Sequence, residues 1–241
     1  MQAPVKQTVV LSFLQYPSGR LLWAMKQMAL VPRMLQGVPG LTFFKMLGTG
    51  GGRGYSSRPD FTTYAILTVW DRTEDAFAFE NGSRVMDHLR SRTMEIYSIF
   101  MHPVSARGKW SGKEPFHGVD PDPANPLIVA LTRATLKPRF YLSFWKRVGA
   151  VSRSQEDFPG QVFSKGIGER PWVMQATFSV WRSLDEMQAF AYGEGGKHME
   201  AIATTRRLNG FREEMFARLQ PFDTRGTWNG TDPLGDALKR H

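Results

Sequence analysis

The sequence predicts an α+β protein in which two copies of a β-α-β-β-α-β unit form one intramolecular α/β barrel. A nine-residue turn occurs twice: GKWSGKEPF begins at Gly108, and GTWNGTDPL begins at Gly226, 118 residues later. The segment GLTFFKMLG, which contains Phe43, recurs as GQVFSKGIG after 120 residues, and the pair Val69-Trp70 recurs after 111. Because these matches keep their order across most of the chain, they indicate an internal duplication.

Hydrophobic periodicity assigns the elements of the first copy in chain order. The apolar run TVVLSFLQ predicts a strand, the spacing of apolar residues in RLLWAMKQM predicts a helix, and Asp71 with Glu74 has capping-box spacing. The predicted strands are Thr8–Gln15, Leu41–Leu47 and Phe61–Trp70, followed by a helix that runs to about Tyr97 and a last strand that leads into the turn.

The second copy repeats this order. Its predicted strands are Leu127–Arg133, Gln161–Lys165, Val173–Trp181 and Phe222–Trp228. Its predicted helices are Phe140–Val148 and a longer one that begins at a Ser183/Glu186 capping box and runs, with breaks, to about Leu219. The chain therefore divides into an N-terminal repeat (1–119), the proline-rich linker DPDPANP (120–126) and a C-terminal repeat (127–241).

This element order is the ferredoxin-like arrangement. Its sheet has one face covered by helices and one bare face, which must be buried. Two such sheets in one chain can pack their bare faces together as an intramolecular pseudo-dimer. The repeated turn would then anchor the last strand of each copy through its tryptophan.

Composition limits the chemistry that the chain can support. The 241 residues include no cysteine, which excludes disulfides, iron–sulfur clusters and a thiolate nucleophile, so a redox cofactor would need His, Tyr or Met ligands. The net charge of +9 comes from scattered Lys and Arg, which argues against nucleic acid and suits anionic lipid or an acidic protein. No secretory leader and no apolar stretch of about 20 residues is evident, so we expect a cytoplasmic protein, with peripheral contact to the inner membrane as an option.

The glycine-rich run GTGGGRG (48–54) resembles a phosphate-binding loop only superficially. It follows a strand, but no Gly-Lys-Ser/Thr sequence and no helix start come after it. We interpret it as a hairpin loop.

Three residues stand out as candidates for chemistry. His198, in GGKHMEAI, has no histidine counterpart in the first copy, so it marks either a specialised half or an exposed helix start. Arg133 follows apolar residues on one strand face and needs an oxygen partner unless it ends the strand in solvent. Ser164 could add a hydroxyl nearby. The repeat pair Lys45 and Lys165 indicates a shared structural role.

Several blocks of the sequence together resemble the spheroidene monooxygenase family, the acyclic-carotenoid 2-ketolases of photosynthetic bacteria. These blocks are LTRATLK (131–137), FSKGIGERP (163–171), ATFSVW (176–181), GEGGKHMEAI and the two tryptophan turns. The resemblance implies a haem-dependent oxygenase that takes O₂ and electrons from a ferredoxin. Two hydroxylations at one carbon of an apolar, carotenoid-like substrate would give a gem-diol, which loses water to form a ketone.

Related haem proteins of this fold, the aldoxime dehydratases, hold haem through one histidine of the C-terminal half. The resemblance therefore implies His198 as the iron ligand of haem b, with Arg133 and Ser164 as polar groups on the distal side. The expected partners are an acidic ferredoxin and an anionic membrane surface, not nucleic acid. Two alternatives stay open: a haem-dependent lyase with aldoxime-dehydratase or other N–O chemistry, and a non-catalytic barrel that binds haem or lipid.

Overall fold

The computed structural model describes residues 6–52, 58–140, 158–170, 174–192, 207 and 209–239. Eight antiparallel strands close into one barrel in the order β1-β3-β2-β6-β7-β5-β8-β4. The strands are β1 (Thr8–Gln15), β2 (Leu41–Gly50), β3 (Pro59–Trp70), β4 (Glu95–Gly108), β5 (Ile128–Leu136), β6 (Gln161–Arg170), β7 (Met174–Trp181) and β8 (Phe211–Gly226).

The described helices lie outside the barrel. They are α1 (Leu21–Met34), α2 (Thr73–Gly82), α3 (Arg84–Arg90), α4 (Leu184–Tyr192) and the short α5 (Gly235–Leu238). The helix predicted for 140–148 lies outside the described residues except for Phe140, which ends a 3₁₀ turn. In the part of the chain that the structure covers, no helix has the length and apolar character needed to cross a membrane.

Each half of the barrel has the ferredoxin-like strand order. The first sheet runs β4-β1-β3-β2 and the second runs β8-β5-β7-β6. The two sheets join at a long β4–β8 ladder and at a short β2–β6 contact, in which only Gly48 and Thr49 pair with Gly168 and Ile167. The predicted fold class is confirmed.

The second helical region of each copy is shorter than predicted. Helix was expected to extend to about Tyr97 and Leu219, but β4 and β8 already run through these two positions. Alternate residues of FREEMFARLQ, such as Met215 and Ala217, face the barrel core. Burial on this face and the ladder to the neighbouring strands therefore outweigh the helical propensity of the segment.

The two predicted capping boxes differ. Ser183 accepts a hydrogen bond from the backbone N–H of Glu186 at 3.1 Å, as a capping residue does. Asp71 and Glu74 do not form a box, because α2 begins one residue later than expected, after Arg72, without a side-chain cap.

Two main hydrophobic cores result. One fills the barrel with alternate residues from its strands, and the other lies between the outer face of the first sheet and α1 to α3. The barrel core includes Val9, Leu11, Phe13, Leu67, Ile99, Leu131, Phe178 and Val180, and the outer core includes Val10, Leu14, Met46, Ile66, Phe79, Met86 and Phe100.

The repeated turn of the first half docks on the second half. Trp110 is 1% exposed within the barrel core. The carboxylate of Glu213, on β8, accepts hydrogen bonds from the backbone N–H groups of Ser111 and Gly112 at 2.9 and 2.7 Å. The turn is thereby fixed across the β4–β8 seam.

The turn of the second half docks on the first half in the same way. Glu95, on β4, accepts hydrogen bonds from the backbone N–H groups of Asn229 and Gly230, both at 2.7 Å. The ring of Trp228 packs edge-on against Phe13 with ring centres 5.4 Å apart. Each copy thus closes one end of the barrel with its own tryptophan, held by a carboxylate of the other copy.

Replacing Gly108 by alanine should destabilise the protein more than replacing Gly112. Both glycines have positive φ, +94° and +76°. A Cβ at Gly108 would also collide with the carbonyl oxygen of Glu214, whereas one at Gly112 meets open space. We expect a loss of about 1 kcal/mol for Gly112→Ala and at least twice that for Gly108→Ala in urea unfolding. Equal losses would contradict the close approach of turn and strand.

Candidate functional site

An ion-pair network closes the barrel end that holds Trp110. The side chain of Arg133 is 2% exposed; its guanidinium binds the carboxylate of Glu213 and lies 3.4 Å from that of Glu169. Lys45 binds the other oxygen of Glu169 at 2.6 Å. Arg133 also lies 5.8 Å from the ring centre of Trp110. The cation on the apolar strand face is therefore buried and paired within the protein.

The network also affects the ionisation of Glu213. Desolvation opposes its charged form, but the N–H groups of Gly112 and Ser111 and the charge of Arg133 outweigh that effect and hold the pKa of this carboxyl below its usual range. Glu213 is thus a fixed anion near neutral pH that holds both the turn and the arginine.

The structure does not bring Arg133 and Ser164 together. Arg133 pairs in register with Ala176 and Met215, which belong to the barrel core. Ser164 lies on β6, two strands away, where it pairs with Ser179 and alternates with core residues. Because successive strand residues face opposite sides, Arg133 points into the barrel and Ser164 toward its outer face.

The opposite end of the barrel, beside Trp228, contains a cavity of about 760 Å³. It lies along the part of β6 that β2 does not pair with, so residues of both faces of β6 reach it. Most of its lining groups are hydroxyls, amides and charges: Gln15, Gly52, Asp60, Thr62, Thr63, Gln161, Val162, Phe163, Ser164, Lys165, Trp228, Asn229, Thr231 and Pro233.

Among the described residues that line this cavity, Lys165 is the one cation, and it is 5% exposed. Its Nζ donates to the carbonyl oxygen of Gly52 at 3.2 Å and lies 3.7 Å from the carboxylate of Asp60. The ring centre of Trp228 is 5.5 Å away. Burial lowers the pKa of the Lys165 ammonium, and the charge of Asp60 only partly opposes this shift. The Lys165 ammonium is therefore incompletely solvated unless a further hydrogen-bond acceptor binds beside it.

Two more polar groups that line the cavity have no hydrogen-bond partner in the structure. They are the hydroxyl of Ser164, whose residue is 7% exposed, and Nε2 of Gln161. Buried polar groups usually find partners, so these orphaned groups indicate that the cavity is built to contact a polar ligand group.

The duplication explains how the two ends of the barrel differ. At the positions equivalent to Arg133 and Glu169, the first copy has Phe13 and Thr49. The end near Trp228 therefore lacks the ion-pair network, and Lys165 has one distant carboxylate where its counterpart has a close one. Lys45 and Lys165, predicted to share a structural role, each lie beside a carboxylate of the other copy, but these carboxylates come from strands that are not equivalent, Glu169 from β6 and Asp60 from β3.

The outer face of the second sheet has lost bulk relative to the first. On β5, β6 and β7, five outward-facing positions carry smaller side chains than their equivalents. The replacements from first to second copy are Val10 by Ala130, Leu14 by Ala134, Phe44 by Ser164, Met46 by Gly166 and Ile66 by Thr177. Three positions change in the opposite sense: on β5, Ile128 stands in place of Thr8 and Thr132 in place of Ser12, and on β8, Phe216 stands in place of Ser98. The loss of side-chain bulk thus lies on β5, β6 and β7.

The described part of the chain contains three histidines, of which His117 lies in the loop after β4 and donates its backbone N–H to Oε1 of Gln7 at 2.8 Å. His88 contacts Oε1 of Gln27 at 2.9 Å, and His102 stacks on Phe222 with ring centres 4.3 Å apart. Burial lowers the pKa of His102. Within the described residues, no group of three or more His, Asp or Glu could bind a metal ion. The predicted iron ligand, His198, lies outside the described residues.

Replacing each of the two repeat-related lysines by methionine should change the free energy of unfolding by different amounts. Lys45→Met leaves Glu169 without its closest cation and should destabilise the protein by about 1–3 kcal/mol. Lys165→Met removes a poorly solvated charge and should leave the free energy of unfolding within about 1 kcal/mol of wild type. Urea unfolding of both variants tests this difference. A larger loss for Lys165→Met would make that lysine a structural residue.

Comparison with known proteins places the chain in a family. No family model matches it. It is 40% identical over 233 residues to the spheroidene monooxygenase of Cereibacter sphaeroides, covering 96% of this chain and 72% of that protein. It is 37% identical to that of Rhodobacter capsulatus, covering 92% of each. A crystal structure of an aldoxime dehydratase with butyraldoxime shares the fold, with a TM-score of 0.60 and 10% identity over 98% of this chain and 86% of that one. The chain belongs to the spheroidene monooxygenase family.

Proposed function

We propose that the protein is a haem-dependent monooxygenase that uses O₂ and electrons from an acidic ferredoxin to oxidise an acyclic carotenoid to its 2-ketone. Membership in the spheroidene monooxygenase family supports oxygenation of a carotenoid. The observation that carries the cofactor assignment is the loss of bulk on the outer face of the second sheet, next to a polar cavity.

The residues of this face suit a flat macrocycle. Small side chains at Ala134, Gly166 and Thr177 leave room over three adjacent strands, where the first sheet is filled by its helical core. The buried Ser164 hydroxyl, which has no hydrogen-bond partner among the described residues, would donate to a polar group of a ligand that reaches this part of β6. His198 is the proposed iron ligand, consistent with the absence of cysteine. When bound, the haem supplies the redox chemistry that activates O₂.

For Arg133 we propose a structural role. Its guanidinium faces the barrel interior and is already paired with two carboxylates, so it would have to break the network to reach a ligand on the outer face. Of the two residues predicted for the distal side, we therefore keep Ser164 alone. Lys165 follows Ser164 on β6 and faces the barrel side, so we propose that it acts in the cavity together with Gln161.

The cavity residues would act on the oxidised end of the substrate. Two hydroxyl groups on one carbon are good hydrogen-bond partners for Lys165, Gln161 and Ser164, which would hold the once-oxidised carbon in place for the second oxidation. Conversion of the gem-diol to the ketone releases one water: one hydroxyl loses its proton while the other leaves protonated. The Asp60 carboxylate and the Lys165 ammonium, 3.7 Å apart, are an acceptor and a donor suited to these transfers.

Restoring the bulk of the first copy should prevent haem uptake. Gly166→Met and Thr177→Ile each place on the outer face the residue that fills the equivalent position of the first sheet. We expect apoprotein of either variant to fold, by far-UV circular dichroism, and to give less than a tenth of the wild-type Soret absorbance on reconstitution with haem. Thr177→Val, which keeps the side-chain shape, is the matched control. Haem uptake by both bulky variants at the wild-type level would contradict the assignment of this face.

The reaction class is tested by product analysis. Wild-type protein with haem, a reduced ferredoxin and an acyclic carotenoid should form the 2-ketone only when O₂ is present. His198→Ala should lose at least about 99% of this activity, and added imidazole should restore part of it if the histidine is the iron ligand. Turnover of an aldoxime without O₂ would favour the lyase alternative. A protein without haem absorbance or turnover would favour the non-catalytic barrel.

A further inference from the structure

Helix α1 is apolar on its solvent-facing side as well as on its buried side. Seven large hydrophobic side chains are exposed among the described residues, and four of them lie on α1: Leu22, Met25, Leu30 and Met34, which are 38 to 77% exposed. A surface helix normally turns its apolar stripe to the core and polar residues to water. The exposed stripe of α1 is therefore unusual for a helix that only supports the fold.

These exposed residues are not needed to attach the helix. A separate set of side chains, Ala24, Gln27 and Val31, is buried against the first sheet. Trp23 adds contacts with Tyr16 at 5.6 Å and with His88 at 5.1 Å between ring centres. These contacts attach α1 to the first sheet, so its solvent-facing side chains are available to bind another surface.

All charged residues of the chain segment that carries the stripe are positive. Residues 1–59 contain seven Lys and Arg and no Asp or Glu. Arg20, Lys26 and Arg33 are exposed at or on α1, and none of them makes an ion pair within the described residues. Exposed apolar side chains interspersed with unpaired cations are typical of helices that lie in the interface of an anionic bilayer.

The first residues of α1 follow closely in sequence on a strand end that lines the cavity. The helix starts six residues after Gln15, which lines the cavity. Two other exposed apolar residues are close to the same strand end: Met94 donates its backbone N–H to the carbonyl of Gln15 at 2.8 Å, and Phe61 precedes Thr62, another lining residue. Two exposed apolar residues, Phe61 and Met94, therefore lie next to residues that line the cavity.

We propose that α1, together with Phe61 and Met94, is the surface by which the protein docks on an anionic lipid bilayer. The apolar side chains insert between headgroups, while Arg20, Lys26 and Arg33 contact lipid phosphates. A second copy of the chain fits this surface less well, because symmetric pairing would bring these cations against each other. An acidic protein would match the charges, but not a row of four large apolar residues.

Docking on lipid is inferred from the exposed residues of α1, Phe61 and Met94, and only its purpose rests on the proposed function. A carotenoid dissolves in the bilayer, so docking near the cavity end would shorten the path of the substrate from lipid to protein. The charge contribution is estimable: about 1 kcal/mol per cation at an anionic membrane corresponds to roughly fivefold per residue, or on the order of a hundredfold for three.

The test is sedimentation of the full chain with vesicles that contain no carotenoid. We compare vesicles of pure phosphatidylcholine with vesicles that contain phosphatidylglycerol. The variants are Leu22→Gln/Leu30→Gln, which removes apolar contacts without a change in charge, and Lys26→Gln/Arg33→Gln, which removes two cations. Leu184→Gln is the matched control, since Leu184 is the exposed leucine of α4, in the other half.

We expect tight binding to anionic vesicles only, at least a tenfold loss for each double variant, and no loss for the control. Unchanged far-UV circular dichroism and unchanged turnover of detergent-dispersed carotenoid would show that fold and function are intact, so that failure of docking is distinguishable from failure of the proposed function. If the variant Leu22→Gln/Leu30→Gln binds anionic vesicles as tightly as the wild-type protein does, the proposal is overturned. A dimer that these substitutions dissociate, or a loss of ferredoxin binding alone, would also overturn it.

Discussion

Neither four-stranded sheet of this protein can bury its inner face alone, and barrel closure is the constraint from which the other features follow. Closure uses two seams of unequal length. The β4–β8 ladder is long, and the two tryptophan turns are clamped by Glu213 and Glu95 across the two halves. The β2–β6 seam has only two register pairs, and the cavity lies beside its unpaired part. The cavity therefore lies at the short β2–β6 seam, while the long β4–β8 ladder holds the two halves together.

Duplication supplied two equivalent sites, and the copies then diverged in opposite directions. At the end that holds Trp110, Arg133 and Glu169 complete an ion-pair network that stabilises the assembly of the two halves. At the other end Phe13 and Thr49 take their places, and Lys165 is left beside a cavity. The outer faces diverged as well, because the first sheet packs its helices tightly and the second carries small residues. The ion-pair network thus lies at one end of the barrel and the cavity at the other.

The fold was predictable from sequence because the duplicated turns and strands are visible as repeats. The helix boundaries were not, because β8 carries residues of good helical propensity whose fate depends on the partner strands. The separation of Arg133 from Ser164 was partly predictable. Arg133 lies two residues after Leu131 and therefore faces the same side of its strand, whereas Ser164 directly follows Phe163 and therefore faces the opposite side from it. The different partners of Lys45 and Lys165 could not be predicted from sequence, because Glu169 and Asp60 lie on strands that are distant from these lysines along the chain. Aligning the two copies position by position would have revealed the loss of bulk at Ser164.

The central claim is that the second sheet presents its outer face to an iron-containing macrocycle. The most direct measurement is an anomalous difference map at the iron absorption edge, from crystals of protein purified with its cofactor. The account predicts one strong peak outside the barrel, over β5, β6 and β7 and near the hydroxyl of Ser164. A peak inside the barrel, a peak over the first sheet, or protein that is active but free of iron would contradict it.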